Sequence, residues 1–287
     1  MNARWGAEDE RGAANLLDQD GVRRGLAAVT DNRSFSLAAP IVPNQGFGVV
    51  GRNAPQHFMV RDGGDYAAGL AERPGFGFAD DWIAMPAHGV SHLDALSHVW
   101  QDGVMYNGYP ASAVTSRGAS RLGIEKVGPI VTRGILLDLV PEGRTYLEPG
   151  ESVHATTLEA ALAATGVTPE PGDALLVRTG WLGAQRSGAV DGTAWPGLDA
   201  DCADLLASLD LVLVGADNPG VEALPSSDPD CQVPLHVALI RGRGMYFAEL
   251  LDLDELAAAG RTAFLLVLSP LPVVGGVGGP VTPVAVV

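Results

Sequence analysis

Three histidines and one aspartate fall within eleven residues of the chain, at His88, His92, Asp94 and His98. The chain has 6 histidines in all, so half of them lie in this one stretch. Neutral imidazoles and a carboxylate at short spacing form a favourable site for a divalent metal such as Zn²⁺ or Mn²⁺. The stretch therefore constrains the fold, because the backbone must bring these side chains to one point.

A single regular helix does not meet that requirement. At about 100° per residue, His88 and His92 share a helix face, whereas Asp94 and His98 point away from it. Gly89 permits a bent loop instead, and His92 and Asp94 share a face if the chain is extended there. The spacing thus predicts a catalytic metal site with His88, His92 and Asp94 as ligands and an open position for water. His98 is predicted to remain free for proton transfer.

Composition excludes several classes of partner. The formal net charge is −16, from 34 acidic against 18 basic residues, and binding to nucleic acid or to an anionic membrane needs a basic surface. Cys202 and Cys231 lack the CxxC spacing, so a disulfide framework is not expected and a reducing cytoplasm fits. We find no secretory signal and no run of about 18 apolar residues. These features predict a cytoplasmic protein that acts on a small molecule.

Short apolar runs alternate with helical patterns over the second half of the chain. Buried strands are predicted at 130–140, 174–178, 211–215 and 262–268, and helices at 158–164, 199–209, 234–240 and 252–259. Thr156 and Glu159 have the spacing of a capping box at the start of the first of these helices. The first 120 residues show loops and short strands, and Asp217 either contributes to a site at a strand end or caps a turn. The order predicts a single compact α/β domain over residues 1–287, with a mixed sheet and flanking helices.

The His88–His98 stretch resembles the HxGTHxDxPxH signature of the cyclase-type metal-dependent hydrolases, a family that includes bacterial kynurenine formamidase and isatin hydrolase. The chain departs from this signature at Val90, Ser91 and Leu96, which replace a glycine, a threonine and a proline. None of these departures removes a ligand. Further segments that resemble the family follow in the same order: Trp5–Asn15, 133–138, 171–181, 215–217 and 275–283.

The resemblance implies a swivelling β/β/α-like fold and a homo-oligomer, either a dimer or a tetramer. It implies His236 and Glu249 as further metal ligands, so that one or two ions of Zn²⁺ or Mn²⁺ would be bound. It also implies an aromatic pocket wall, for which Trp5, Phe47 and Trp100 are the candidates.

We therefore expect a metal-dependent hydrolase of the kynurenine formamidase type, which cleaves a C–N bond other than a peptide bond. Its substrate would be a formamide, lactam or cyclic amide of a small aromatic or heterocyclic compound, attacked by metal-activated water. One alternative is a metal-dependent cyclase or lyase that acts on a polyketide-like or enol substrate. Another alternative, from a different class, is a non-catalytic protein that binds a metal or a small molecule.

Overall fold

A nine-stranded mixed sheet forms the centre of the computed structural model, which describes residues 4–71 and 75–287. The fifteen strands of the described residues are β1 Ser34–Ser36, β2 Gln56–Arg61, β3 Asp80–Ala84, β4 His92–Asp94, β5 Val114–Thr115, β6 Gly118–Ala119, β7 Ile130–Asp138, β8 Ser152–Val153, β9 Ala174–Arg178, β10 Gly197–Leu198, β11 Leu213–Ala216, β12 Tyr246–Glu249, β13 Ala263–Leu268, β14 Gly278–Pro280 and β15 Val284–Val286. The order in the large sheet is β1-β15-β13-β7-β9-β11-β12-β4-β14. Strands β7, β9, β11 and β12 are parallel, and antiparallel strands extend the sheet on both sides.

The central strands carry little alternation of apolar and polar residues because both of their faces are covered. Every residue of β11 is buried, as are four of the five residues of β9. Continuous apolar runs are typical of strands in sheets that helices cover on both sides. The four strands predicted from the sequence and the α/β class with a mixed sheet are thereby confirmed.

Six α-helices accompany the sheet in the described residues: α1 Gln19–Ala27, α2 Gly63–Ala67, α3 Ala155–Ala164, α4 Trp181–Arg186, α5 Ala203–Ser208 and α6 Asp254–Ala258. The predicted capping box is wrong, because α3 begins at Ala155 and Thr156 lies inside its first turn. The backbone N–H of Ala155 donates instead to the Asp201 carboxylate, at 2.8 Å. Helix α1 was not predicted, although Asp18 caps it. The predicted helix at 234–240 is a π-helical segment, His236–Arg241.

Asp217 caps the turn that follows β9. Its buried carboxylate accepts hydrogen bonds from the backbone N–H groups of Thr179 and Gly180 and from the Thr179 hydroxyl, at 2.6–2.8 Å. The turn-capping alternative for this residue therefore describes it better than a place in the site.

The short strand β4 carries the sequence motif into the sheet, between β12 and β14. Its register pairs His92 with Glu249 on one side and Asp94 with Gly278 on the other. Pairing across a sheet thus brings the 88–98 stretch against segments more than 150 positions further along the chain.

Strands β2 and β3 form a separate two-stranded hairpin outside the large sheet. We call residues 56–71 and 75–84, which include this hairpin and α2, the arm. Most side chains of the hairpin are exposed on both of its faces.

Within residues 4–71 and 75–287, no helix combines the length and the apolar character that crossing a membrane requires.

Candidate metal centre

Five predicted site residues converge at the end of β4 and β12. The Nε2 atom of His92 lies 3.4 Å from Asp94 Oδ1 and 3.1 Å from Glu249 Oε2. His88 approaches Asp94 Oδ1 to 3.3 Å. His236, from the π-helical segment, lies 3.2 Å from Glu249 and 3.6 Å from Asp94 Oδ2. Three separate parts of the chain therefore supply one cluster of imidazole and carboxylate groups.

Asp94 is the common member of this cluster. Its carboxylate lies close to four imidazoles, since His98 Nε2 is also 4.0 Å from Oδ1. Two overlapping groups of potential ligand atoms result: one joins Asp94 to His88 and His92, and the other joins it to His98 and His236. Both groups have the spacing of a metal site, so the geometry is compatible with one ion or with two that share Asp94.

The donor atoms of the cluster fit a divalent cation. The Nε2 atoms of His88 and His92 and both carboxylate oxygens of Asp94 and of Glu249 are buried, and none has a hydrogen-bond partner among the described residues. Leaving a buried polar group without a partner costs about 1–3 kcal/mol, and more if the group is charged. Nitrogen and carboxylate ligands of this kind suit zinc, manganese and related ions.

The charges of the cluster shift the pKa values of its members. Burial opposes a charge on His92, yet the nearby carboxylates of Asp94 and Glu249 raise the pKa of this imidazole to about 9. Although burial raises the pKa of Glu249 and the Asp94 charge adds to that effect, the close imidazoles of His236 and His92 lower it to about 2. The carboxylates are therefore held ionised, which is the form that a cation requires.

His98 differs from the other imidazoles. Burial lowers its pKa to about 4, despite the nearby charge of Asp94. Its ring stacks on that of His88, with the ring centroids 4.2 Å apart. At neutral pH this imidazole is therefore uncharged.

Further contacts fix the orientation of the imidazoles. His92 Nδ1 lies 2.7 Å from the carbonyl oxygen of Val90, and His236 Nδ1 contacts the buried carboxylate of Glu222. The same carboxylate accepts the backbone N–H groups of Leu235 and His236, at 2.8 and 3.1 Å. A hydrogen-bonded second nitrogen fixes the tautomer of a histidine and aims its other nitrogen at a metal.

The glycine-rich C-terminal segment leaves room for this arrangement. A side chain at Gly278 would overlap the ring of His88, so only a residue without a Cβ fits there. This close approach gives the segment 275–279 a role in shaping the cluster.

A cleft of about 440 Å³ opens beside His98 and His236. Its apolar lining includes Val49, Val50, Val99, Trp195, Pro219 and Leu224. Arg52 supplies a cation to the same cleft, and its Nη1 donates to the carbonyl oxygen of His88 at 2.8 Å. An apolar body with one charged end would match this lining.

The three aromatic residues predicted for the pocket wall do not line this cleft. Trp5 lines a different cavity, of about 250 Å³. Phe47 packs against a small core around Trp181 and borders another cavity. Trp100 is 48% exposed and borders none of the cavities described here. Their roles in binding substrate remain predictions, and Trp195 is the aromatic residue that borders the cleft.

Three residues around the site were not predicted from the sequence. Glu222 occurs singly in an apolar run, Arg52 lies in a glycine-rich loop, and Trp195 has no motif around it. The charged residue inside the run Gly220–Leu224 was the one available hint, because a buried acid needs a partner.

Comparison with known proteins agrees with this α/β fold. Residues 35–223 match the model of the family named Cyclase, described as "Putative cyclase". The chain belongs to this cyclase family. A comparison with curated protein sequences returned no match.

Solved structures show the same relationship. A crystal structure described as that of a novel cyclase is 34% identical, with a TM-score of 0.90, and the match covers 99% of this chain and 96% of that one. Isatin hydrolase A from Labrenzia aggregata, bound to benzyl benzoate, is 20% identical with a TM-score of 0.67, covering 93% of this chain and 97% of that one. A potential metal-dependent hydrolase with cyclase activity is 18% identical with a TM-score of 0.54, covering 88% and 98%. The predicted family and fold class are thereby confirmed.

Proposed function

We propose that the protein is a metal-dependent hydrolase that cleaves a C–N bond in a small aromatic or heterocyclic amide, such as a formamide, lactam or cyclic amide. The observation that carries this proposal is the convergence of His88, His92, Asp94, His236 and Glu249 beside an apolar cleft that His236 lines. The potential ligand atoms of four of them, His88, His92, Asp94 and Glu249, are buried without hydrogen-bond partners among the described residues. The similarity to isatin hydrolase supports hydrolysis as the reaction.

The site residues would have separate roles in binding the metal and the substrate. His88, His92 and Asp94 would hold a divalent cation, zinc or manganese, with His236 and Glu249 as further ligands. When bound, such a cation polarises a carbonyl group and makes water more acidic. The apolar wall of the cleft would exclude bulk water from the amide and hold its planar body.

We assign proton transfer to His98. As water adds to the carbonyl carbon, the neutral imidazole accepts the proton that the water loses. When the C–N bond breaks, the imidazolium returns this proton to the departing nitrogen. The Asp94 carboxylate, 4.0 Å away, favours the positive charge that His98 carries between the two transfers.

The substitution His98→Ala tests this role. Removal of a general base lowers the rate by about 10²–10⁴-fold. We expect turnover of formamides and cyclic amides to fall by that amount while the metal content, measured by elemental analysis, stays unchanged. The control is His57→Ala, which removes an imidazole that pairs with Asp81 on the arm.

Two results would contradict the assignment. Full activity in the His98→Ala protein would remove His98 from the chemistry. Loss of an ion would make His98 a ligand, within the group that it forms with Asp94 and His236.

A second candidate is a cyclase or lyase reaction on a polyketide-like or enol substrate. It is favoured by the family to which the chain belongs and by the cyclase activity attributed to one structural neighbour. Here His98 would move a proton on carbon, and no water would enter the product. Reaction in ¹⁸O-labelled water distinguishes the two, because only hydrolysis incorporates the label.

A further inference from the structure

Arg52 brings a positive charge to the mouth of the candidate centre. Its side chain lines the same cleft as His98 and His236 and is 21% exposed. The rest of the cleft wall is largely apolar, and the chain as a whole carries a net charge of −16. A guanidinium group in such a place attracts an anion far more effectively than one on an open surface, because apolar walls screen charge less than water does.

The contacts of this guanidinium group with the described residues are made by Nη1. Nη1 donates to the carbonyl oxygen of His88 and lies 3.7 Å from Glu249 Oε2. Nε and Nη2 have no hydrogen-bond partner among residues 4–71 and 75–287. Arginine has five N–H donors in a planar fork that fits a carboxylate in a bidentate manner.

The acidic residues nearby are occupied by other groups. Glu222 binds His236 and two backbone N–H groups. Asp94 and Glu249 face the imidazoles of the cluster. The remaining donors of Arg52 therefore point to an anion that enters the cleft from outside.

We propose that Arg52 binds a carboxylate of the substrate, so that the enzyme prefers amides whose apolar ring also carries a carboxylate. This inference rests on the proposed function and narrows its substrate class. Arg52 would act as a specificity residue, whereas the imidazole and carboxylate cluster would act on the amide itself. A purely structural role, in which Arg52 only ties its loop to His88 and balances Glu249, would affect charged and neutral substrates alike.

Paired substrates separate these two roles. 2-Formamidobenzoate and formanilide share the aromatic formamide and differ by one carboxylate. With metal-loaded enzyme, we expect kcat/KM to favour 2-formamidobenzoate, and Arg52→Gln to lower this preference by about 10- to 100-fold, mainly through KM. Arg52→Lys should retain part of the preference, since it keeps the charge and loses the fork.

The matched control is Arg243→Gln, which makes the same change of charge in the separate cavity that contains Trp5. It should leave the substrate preference as in the unaltered enzyme. An equal loss on both substrates in Arg52→Gln, or a wild-type enzyme without the preference, would overturn the proposal.

Binding without turnover tests Arg52 independently of catalysis. By calorimetry, benzoate should bind the unaltered protein more tightly than benzamide, and Arg52→Gln should abolish the difference while its circular dichroism stays native. If neither formamide is hydrolysed, the hydrolase proposal fails, and the benzoate measurement still decides the role of Arg52. Equal binding of benzoate and benzamide to the unaltered protein would refute the role in anion binding.

Discussion

Most proteins bury apolar side chains and expose charged ones, and the candidate metal centre and the arm both depart from this pattern. At the centre, carboxylates and imidazoles are buried in the middle of the sheet, with donor atoms that lack protein partners. On the arm, apolar side chains lie in solvent: Val60 is 69% exposed and Trp82 is 57% exposed. One region encloses unpaired polar atoms, and the other exposes unpacked apolar surface.

Each of the two regions therefore lacks a partner, and the partners are of different kinds. Buried carboxylates and imidazole nitrogens need a cation or protons, and no apolar surface satisfies them. Exposed aromatic and aliphatic groups need another apolar surface, since burial contributes about 25 cal/mol for each Å² removed from water. An isolated two-stranded hairpin is also marginal in water by itself. We therefore expect a bound ion at the centre and a second protein surface over the arm.

The largest effect is expected from Asp94→Asn. The variant removes the carboxylate that both groups of ligand atoms share, and it leaves His88, His92 and His236 without their common charge partner. Lewis-acid catalysis is worth several kcal/mol, and each 1.36 kcal/mol is tenfold in rate, so turnover should fall by on the order of 10³-fold. Elemental analysis should show the loss of bound metal in parallel.

Asp81→Asn provides the control, because it makes the same chemical change on the exposed arm. Its metal content and turnover should match those of the unaltered protein. Retention of both metal and activity by Asp94→Asn would show that the buried cluster does not depend on a cation.

The two regions also differ in how far the sequence predicts them. The His88–His98 stretch is local, so its spacing alone identified three ligand candidates and His98. Glu249 lies next to His92 only through the register between β4 and β12. Such a pairing between distant segments cannot be read from one sequence, and His236 and Glu249 were found only through the resemblance to a family.

The fold, too, is predictable from the sequence only where the signal is local. Buried central strands can be recognised in the sequence as apolar runs, because both of their faces are covered and polar residues are excluded. Short strands were also predicted within the first 120 residues, yet nothing local indicates that β2 and β3 lie outside the large sheet. Glu222 and Arg52 act through contacts with residues 14 and 36 positions away. Their partners are defined only by tertiary packing.

An intermediate effect is expected from Glu222→Gln, which separates positioning from ligation. The Glu222 carboxylate accepts hydrogen bonds from the backbone of Leu235 and His236 and contacts His236 Nδ1. Glutamine replaces one of the two acceptor oxygens with an NH₂ group. This group cannot accept a hydrogen bond from the N–H that it would face. We expect metal affinity or kcat to fall by about 10- to 100-fold, as for other partners of metal-binding histidines.

Competition with a chromophoric chelator measures the metal affinity of this variant. Glu255→Gln makes the same change on an exposed part of α6 and should have no effect. An unchanged affinity and an unchanged kcat in Glu222→Gln would mean that His236 needs no orientation from this carboxylate.

The smallest effect on turnover is expected from Trp82→Ser on the arm. This substitution should instead weaken the association between copies of the chain. The eight apolar side chains of the arm that are at least 40% exposed present on the order of 1,000 Å² to solvent, given 150–250 Å² for a whole aromatic side chain. The largest apolar patch of a typical monomer is about 300–600 Å², and one partner of a stable complex buries about 800 Å². We therefore expect the arm to pack against a second copy of the chain, in the homo-oligomer that the family resemblance implies.

At 57% exposure, Trp82 presents on the order of 100 Å² of apolar surface, so Trp82→Ser should weaken association by at least about tenfold. Sedimentation over a range of concentrations measures this change, and Val274→Ser is the control because its side chain is 83% exposed and lies far along the chain from the arm. A wild-type protein that sediments as a monomer at all concentrations would contradict the expectation. Turnover per subunit should change less than in either variant of the centre, because Trp82 contacts Phe58 within the arm and does not line the cleft.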